Sequence, residues 1–260
     1  MMKRIALCFA VFIKLCNCDL TEKPEWLKSC QFKDPDFTKC STIGVQALFD
    51  NLVKGLEGIE GLQSIDPMRI DRVGILQGEG PVSVNASISK VKITGISKVK
   101  VIENQVSSKD YSWITIVKLP KMRLEGNYHM MGRILVIPLN GRGKCWFEPS
   151  NMDIKFYTKT RLYAKNDHTF YNVTGCRVHF NMEGLKLRMD NLFEGVKVLE
   201  DSTNLYLNEN WRPVSEALKP IISKNIEEIL LGIMSKIFHQ IPGDFFISDL
   251  PKPNELKQAN

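Results

Sequence analysis

The sequence has no uninterrupted run of eighteen apolar residues, so nothing in it reads as a membrane-spanning helix or implies stable membrane insertion. It also lacks a Gly-x-Ser-x-Gly elbow, a His-Glu-x-x-His pair and a P-loop lysine, the short patterns that position a nucleophile, a zinc ion or a phosphate. Histidine is scarce. His129, His168, His179 and His239 stand apart from one another, and each is expected to be a surface or structural residue. The acidic neighbours Glu227 and Glu228 fit the solvated side of a helix better than an acid and base pair. With no convergent chemistry, no catalytic residue, metal ligand or cofactor is assigned, and an enzyme is not expected. Basic charge is modest and no zinc-finger or RRM signature is present, so nucleic acid is not an expected partner.

What is present begins at the N-terminus. Lys3 and Arg4 precede the nine-residue apolar run Ile5 to Ile13, and small side chains at Cys16 and Cys18 suit a peptidase cut before Asp19. Nine residues cannot span a bilayer, and this order is that of a secretory signal over residues 1–18. Those eighteen residues hold three basic and no acidic side chains, so their removal leaves 242 residues with a formal charge of +3 instead of +6. Three of the seven cysteines leave with them. Cys30, Cys40, Cys145 and Cys176 remain, an even number that in an oxidising compartment argues for two disulfides, with three connectivities open. Proximity favours Cys30 with Cys40 and therefore Cys145 with Cys176. Asn85-Ala-Ser87 and Asn172-Val-Thr174 are glycosylation sequons, in keeping with export to an extracellular fluid.

Along the chain, residues 19–40 are polar and irregular. Ser41 or Thr42 can cap a helix whose apolar positions Val45, Leu48, Phe49, Leu52, Val53 and Leu56 recur at helical spacing. From about Met68 to Met189 the period falls to two. Val82, Val84, Ala86 and Ile88 alternate with polar residues; so do Val91 with Ile93, Val99 with Val101, Val178 with Phe180 and Met182, and Leu185 with Leu187 and Met189. Strands with one dry and one wet face point to a long antiparallel sheet, with Asn85 and His179 on the wet face. Ser89-Lys-Val-Lys-Ile and Ser97-Lys-Val-Lys-Val form an internal repeat, read as two neighbouring strand segments around Thr94-Gly95, with a solvated lysine face. Finally Val214, Leu218, Ile222, Ile226, Ile229, Ile233 and Ile237 recur at steps of three and four. They describe a helix starting near Asn210, about 40 Å long at 1.5 Å per residue, ended by Pro242-Gly243 and bent or divided at Pro220.

Several segments also carry a family likeness. Ile65-Asp-Pro-Met68, Leu124-Glu-Gly-Asn-Tyr128, Gly132-Arg-Ile-Leu135 running into Pro138-Leu-Asn-Gly-Arg-Gly143, Asp190-Asn-Leu-Phe-Glu-Gly195, Leu207-Asn-Glu-Asn-Trp211 and Ile237-Phe-His-Gln-Ile-Pro242 stand in an order that resembles the takeout and juvenile-hormone-binding proteins of insects. The likeness spans about 210 residues and includes the early cysteine pair, while Cys145 and Cys176 resemble the second bridge of the hormone-binding members. Gly58-Ile-Glu-Gly61 departs from it, because many relatives have a proline after Gly-Ile. The resemblance implies an α+β fold: one domain over residues 19–250, followed by a polar tail at 251–260, in which a strongly curved antiparallel sheet wraps a long C-terminal helix and encloses an apolar tunnel.

Together these readings describe a secreted, monomeric carrier of a small hydrophobic ligand, a terpenoid or a lipid, with a cell-surface receptor as a further partner. An apolar ligand gains about 25 cal/mol for each Å² it buries, so an enclosed pocket binds it without charged contacts. The candidate lining is Val84, Ile88, Val91, Ile93, Trp113, Tyr128, Val178 and Phe180 from the sheet, with Ile222, Ile226, Ile229, Ile233 and Ile237 from the helix. Trp113, Tyr128, Tyr157 and Tyr171 offer polar tips that could orient it. The alternative is an extracellular recognition protein that binds a lipid or microbial surface through its exterior and has a filled core.

Overall fold

The computed structural model describes residues 20, 22–56, 59, 61–77, 82–134 and 137–256. The expected signal at 1–18 and the end of the expected tail lie outside the described residues. A helix α1 (Phe37–Leu52) is followed by strands β1 (Met68–Gln77), β2 (Val82–Thr94), β3 (Lys100–Val106), β4 (Trp113–Lys121), β5 (Arg123–Ile134), β6 (Ile137–Lys165), β7 (His168–Asn181) and β8 (Gly184–Met189). Helices α2 (Lys197–Glu209) and α3 (Trp211–Gln240) come next, then the short α4 (Gly243–Phe246) and α5 (Pro253–Leu256).

The curved antiparallel sheet is organised on β6, whose 29 residues serve both ends of it. Its first half pairs with β5 on one side and reaches β8 on the other; its second half pairs with β4 and β7. Only Met122 separates β4 from β5, and only Met182 and Glu183 separate β7 from β8. Three long composite strands therefore run side by side, with β2 and β1 added beyond β5 and β3 added beyond β4. The alternation expected from sequence sets the faces: Val84, Ala86, Val178 and Phe180 are buried, whereas Asn85, Arg177 and His179 are exposed. In β2 the buried set passes from even to odd positions after Ile88. A bulge between Ser89 and Lys92, with Lys90 at φ 52°, absorbs the extra residue and returns Val91 to the dry face.

Three of the strand edges are ended by helix side chains, which satisfy backbone groups that another chain could otherwise pair with. On β3, Gln46 of α1 accepts from Val101 N at 2.7 Å and Thr42 accepts from Asn104 N at 3.0 Å. On β7, Val178 N donates to Glu227 of α3 at 2.9 Å. On β8, Asn204 and Asn208 of α2 each make a donor and acceptor pair, with the N–H and C=O of Met189 and of Leu187 respectively, at 2.8–3.0 Å. Two amide side chains thus stand in for a missing strand.

Several expectations are corrected. Helix α1 starts at Phe37, not at Ser41 or Thr42: its buried stripe is Phe37, Ser41, Gly44, Leu48 and Leu52, and Ser41 accepts a hydrogen bond from Asn104 Nδ2 at 2.6 Å inside the core. The repeat is not two neighbouring strands. Ser89–Ile93 lies in β2 between β1 and β5, whereas Ser97 and Lys98 belong to a 3-10 turn leading to β3, which pairs with β4. The chain turns there because Asp66 accepts from Gly95 N and Ser97 N, and because Gly95 (φ 97°) has no room for a Cβ, which would sit 2.6 Å from the Lys121 carbonyl. Pro220 does not divide α3. The helix runs unbroken for 30 residues, about 45 Å, with Pro220 exposed.

Candidate ligand-binding interior

Helix α3 lies against the dry face of β7 and β8 and passes several apolar clusters in turn. Its first turns place Val214, Ala217, Leu218 and Ile221 with Val84, Tyr128, Leu139, Leu187 and Leu207. Its middle places Ile222, Ile226 and Leu230 on Cys176, Val178 and Phe180. Its last turns place Ile233, Ile237 and Phe238 with Trp113, Tyr171 and the N-terminal segment around Leu27.

The candidate residues therefore divide among three environments. Val84 and Tyr128 are buried with the half-buried Ile88 at one end. Val178 and Phe180 meet Ile222 and Ile226 in the middle. Trp113, Ile233 and Ile237 sit at the other end, where the rings of Trp113, Tyr171 and Phe238 contact one another at centroid separations of 5.2–5.7 Å. Val91 is buried, and Ile93 and Ile229 are half-buried, outside the residues of those clusters. Along α3, fully buried side chains occur only at the two ends: Val214 and Ser215, then Ile237 and Phe238. Between them Ile222, Ile226, Ile229, Leu230 and Ile233 are each only half-buried.

Polar groups inside are few and mostly satisfied. Tyr128 donates to the Asp190 carbonyl at 2.9 Å, and burial pushes its phenol upward. Thr158, fully buried, meets Met234 Sδ at 3.7 Å. Tyr157 is exposed, which removes it from the interior. Tyr171 is 2 % exposed and its hydroxyl has no hydrogen-bond partner among the described residues; burial raises its pKa too. A cleft of about 300 Å³ opens between the end of β7 and the start of α3, lined by Phe180, Asn181, Met182, Trp211, Ser215 and Lys219 among others. His129, His179 and His239 are exposed, and His168 lies 3.0 Å from Asp244, joining β7 to α4.

The cysteines separate into two kinds. Cys30 and Cys40 form a disulfide, with a Cα separation of 5.8 Å. Cys145 and Cys176 are free and buried, contrary to the expected second bridge. Register is the reason: Cys145 pairs with Gly126 and Met189, whereas Cys176 faces Thr158, thirteen positions further along β6, which is roughly 40 Å of extended chain. No bridge can close that distance without moving the backbone. Burial pushes the thiols up to about 12 and about 11 respectively, so both remain protonated and unreactive at neutral pH.

A model of the family described as haemolymph juvenile hormone binding protein (JHBP) matches residues 6–248. The chain belongs to that family. Members of the juvenile hormone binding protein family are binding proteins, and this one is not an enzyme. The chain is 21 % identical over 240 residues to the circadian clock-controlled protein daywake of Drosophila melanogaster, with 89 % of this chain and 91 % of that protein covered. It is also 21 % identical over 233 residues to the daywake protein of Drosophila yakuba. In fold it is similar to the crystal structure of Epiphyas postvittana Takeout 1, with a TM-score of 0.74 at 20 % identity over 85 % of this chain and 99 % of that one. The shared fold is the curved antiparallel sheet with a long C-terminal helix. No helix of the described residues is long and apolar enough to cross a membrane.

Helix α2 is the element that sequence reasoning missed. Its sheet-facing positions Glu200, Asn204 and Asn208 are polar, and Val198, Leu199, Leu205 and Tyr206 point outward. Hydrophobic periodicity cannot find a helix whose buried residues are Glu200, Asn204 and a single apolar side chain, Leu207. The spacing of four between those three polar residues was the available signal.

Proposed function

We propose that this juvenile hormone binding protein relative is an exported carrier that holds one small hydrophobic ligand, a terpenoid or a lipid, between the dry face of the sheet and the middle of α3. The observation that carries this is the uneven burial of that helix. A helix laid on a dry sheet face ought to bury its apolar stripe along its whole length. Here all six apolar positions from Ile222 to Ile233 stay half-buried while both ends are packed. That is the pattern expected of a helix that lines a space kept for an apolar guest. Phe180 belongs both to the cluster around Ile222 and Ile226 and to the cleft at the start of α3, which makes that cleft the natural route of entry.

The test is displacement of a fluorescent fatty-acid or terpenoid probe from the purified protein, together with native mass spectrometry of protein from its own source. Saturable binding of one probe per chain at micromolar concentration is the expected result. No binding, with nothing extracted from the native protein, overturns the proposal. Export is tested separately, by N-terminal sequencing of protein from the medium, which should begin near Asp19.

A second reading, contact with an extracellular surface, is favoured by α2. Val198 is 75 % exposed, and Leu199, Leu205 and Tyr206 share the outer side of that helix. An outward apolar stripe of this size is a feature of contact surfaces. Replacing Val198 and Leu205 by serine separates the two: a carrier keeps its probe affinity, whereas a surface binder loses its target.

A further inference from the structure

The sheet ends at β3, β7 and β8 on side chains supplied by helices, but among the described residues β1 has no such guard. Among the described residues β1 hydrogen-bonds only to β2. The outer face beside that edge carries Leu76, 82 % exposed, and Met131, 59 % exposed. Both stand directly opposite one residue: Leu76 pairs with Asn85 from β1, and Met131 pairs with it from β5. Directly opposed residues lie on the same face with Cβ atoms about 4.5–5.5 Å apart. Asn85 is exposed and begins the sequon Asn85-Ala86-Ser87. The next pair on that face is polar, Ser87 with His129. The apolar spot is thus centred on a glycosylation acceptor, one strand in from the unguarded edge.

We infer that Asn85 carries an N-linked glycan whose first sugars lie over Leu76 and Met131 and that blocks β1 from pairing with another chain. The inference rests on the export reading, because the modification needs the secretory route. The co-reactant is a lipid-pyrophosphate-linked oligosaccharide. The Asn85 amide nitrogen forms a bond to the anomeric carbon of the first N-acetylglucosamine while that carbon's bond to the pyrophosphate oxygen breaks; the lipid pyrophosphate leaves with the electron pair, and the amide nitrogen loses one proton. The apolar faces of the sugar rings then cover surface that water would otherwise meet, and the bulk of the chain keeps a second strand from approaching. The other sequon offers a contrast. Asn172 is exposed on β7 opposite the exposed Arg161, with no apolar neighbour across the strand, so a glycan there has nothing to cover.

The experiment is to express the full chain in secreting insect cells, take the protein from the medium and measure its intact mass, then treat the folded protein with an amidase that removes N-glycans. The expected result is a glycan mass on the wild type that disappears from the Asn85 peptide in both Asn85→Gln and Ser87→Ala. Sedimentation should show the glycosylated protein as a monomer and the enzymatically stripped protein shifting to larger species, a shift lost in the stripped Leu76→Ser/Met131→Ser double variant and unaltered by Asn172→Gln. Protein in the medium with Asn85 unmodified overturns the inference while leaving export intact. A glycan on Asn85 whose removal leaves the protein monomeric overturns the guarding role. Absence of the protein from the medium refutes export itself and this inference with it. Enzymatic stripping of folded wild type keeps the test decisive if Asn85→Gln fails to fold.

Discussion

Replacing Ile229 and Ile237 by asparagine, one at a time, puts the carrier proposal to a quantitative test, because the two isoleucines lie on one helix two turns apart in different surroundings. Ile237 is 2 % exposed and packed with Trp113, Tyr171 and Phe238. Ile237→Asn loses about 1.5–3 kcal/mol of apolar burial and strands an amide at a further cost of about 1–3 kcal/mol. The expected loss of stability is thus about 2.5–6 kcal/mol. Ile229 is half-buried in the middle of the helix, so Ile229→Asn keeps its amide within reach of water and should cost no more than about 1 kcal/mol. If a ligand covers that side chain, the same change removes about 1 kcal/mol of binding energy, which weakens the probe about fivefold. Urea unfolding gives the first quantity and probe displacement the second. Equal destabilisation by both variants, or an Ile229→Asn protein with wild-type probe affinity, refutes the reasoning that the middle of α3 lines a binding space.

Four more outcomes are expected. Cys30→Ala/Cys40→Ala should lower stability by about 2–3 kcal/mol, the loop entropy of a ten-residue closure, measured by denaturant unfolding. A thiol reagent should find Cys145 and Cys176 only after unfolding, and peptide mapping that joined them would overturn the register described above. Asn204→Leu leaves the Met189 N–H and C=O unpaired against α2 and should cost about 2–4 kcal/mol, with rapid hydrogen exchange at Met189. Glu200 accepts from Lys197 Nζ at 2.8 Å and from Asn191 N at 2.7 Å, contacts that with Arg188 hold its pKa below the usual glutamate value. A carboxylate with a depressed folded pKa contributes stability above its unfolded pKa of about 4.3 and loses it as pH falls through the folded value. The acid limb of the stability profile should therefore flatten in Glu200→Gln, and an unchanged limb would remove Glu200 from that role.

Those carboxylate and amide contacts also mark where sequence reasoning stops. Faces were legible wherever apolar side chains alternate, as from Val84 to Ile88 and from Val178 to Met182, because a strand exposes one side to water and hides the other. The long helix was legible from its stripe. Even the bulge left a trace, in the slip from Ile88 to Val91. Ser41 misled because a serine before an apolar run reads as a cap, while its actual partner, Asn104, lies 63 residues away. The pairing of Cys145 with Cys176 failed for a similar reason: spacing in sequence says nothing about which strand lies between two cysteines. Of the candidate lining residues, the alternation identified the dry face but could not distinguish Ile237 in a packed end from Ile229 in a half-open middle. That difference is made by neighbours that arrive from β4 and from the N-terminal segment.

A single strand that serves both ends of the sheet has a consequence for how the molecule can vary. One residue inserted between Phe147 and Ser150 of β6 would leave the pairing with β5 in place and rotate everything beyond it by one step. Met152 and Thr158 would turn to water, and Lys155 and Lys159 would turn to the helix. The pairings with β4 and β7 would invert together, since both read their register from the same strand. Length in this segment is consequently as constrained as composition in an ordinary core. Variation that tunes what such a protein holds is confined to exchanging side chains along a frame whose residue count cannot change.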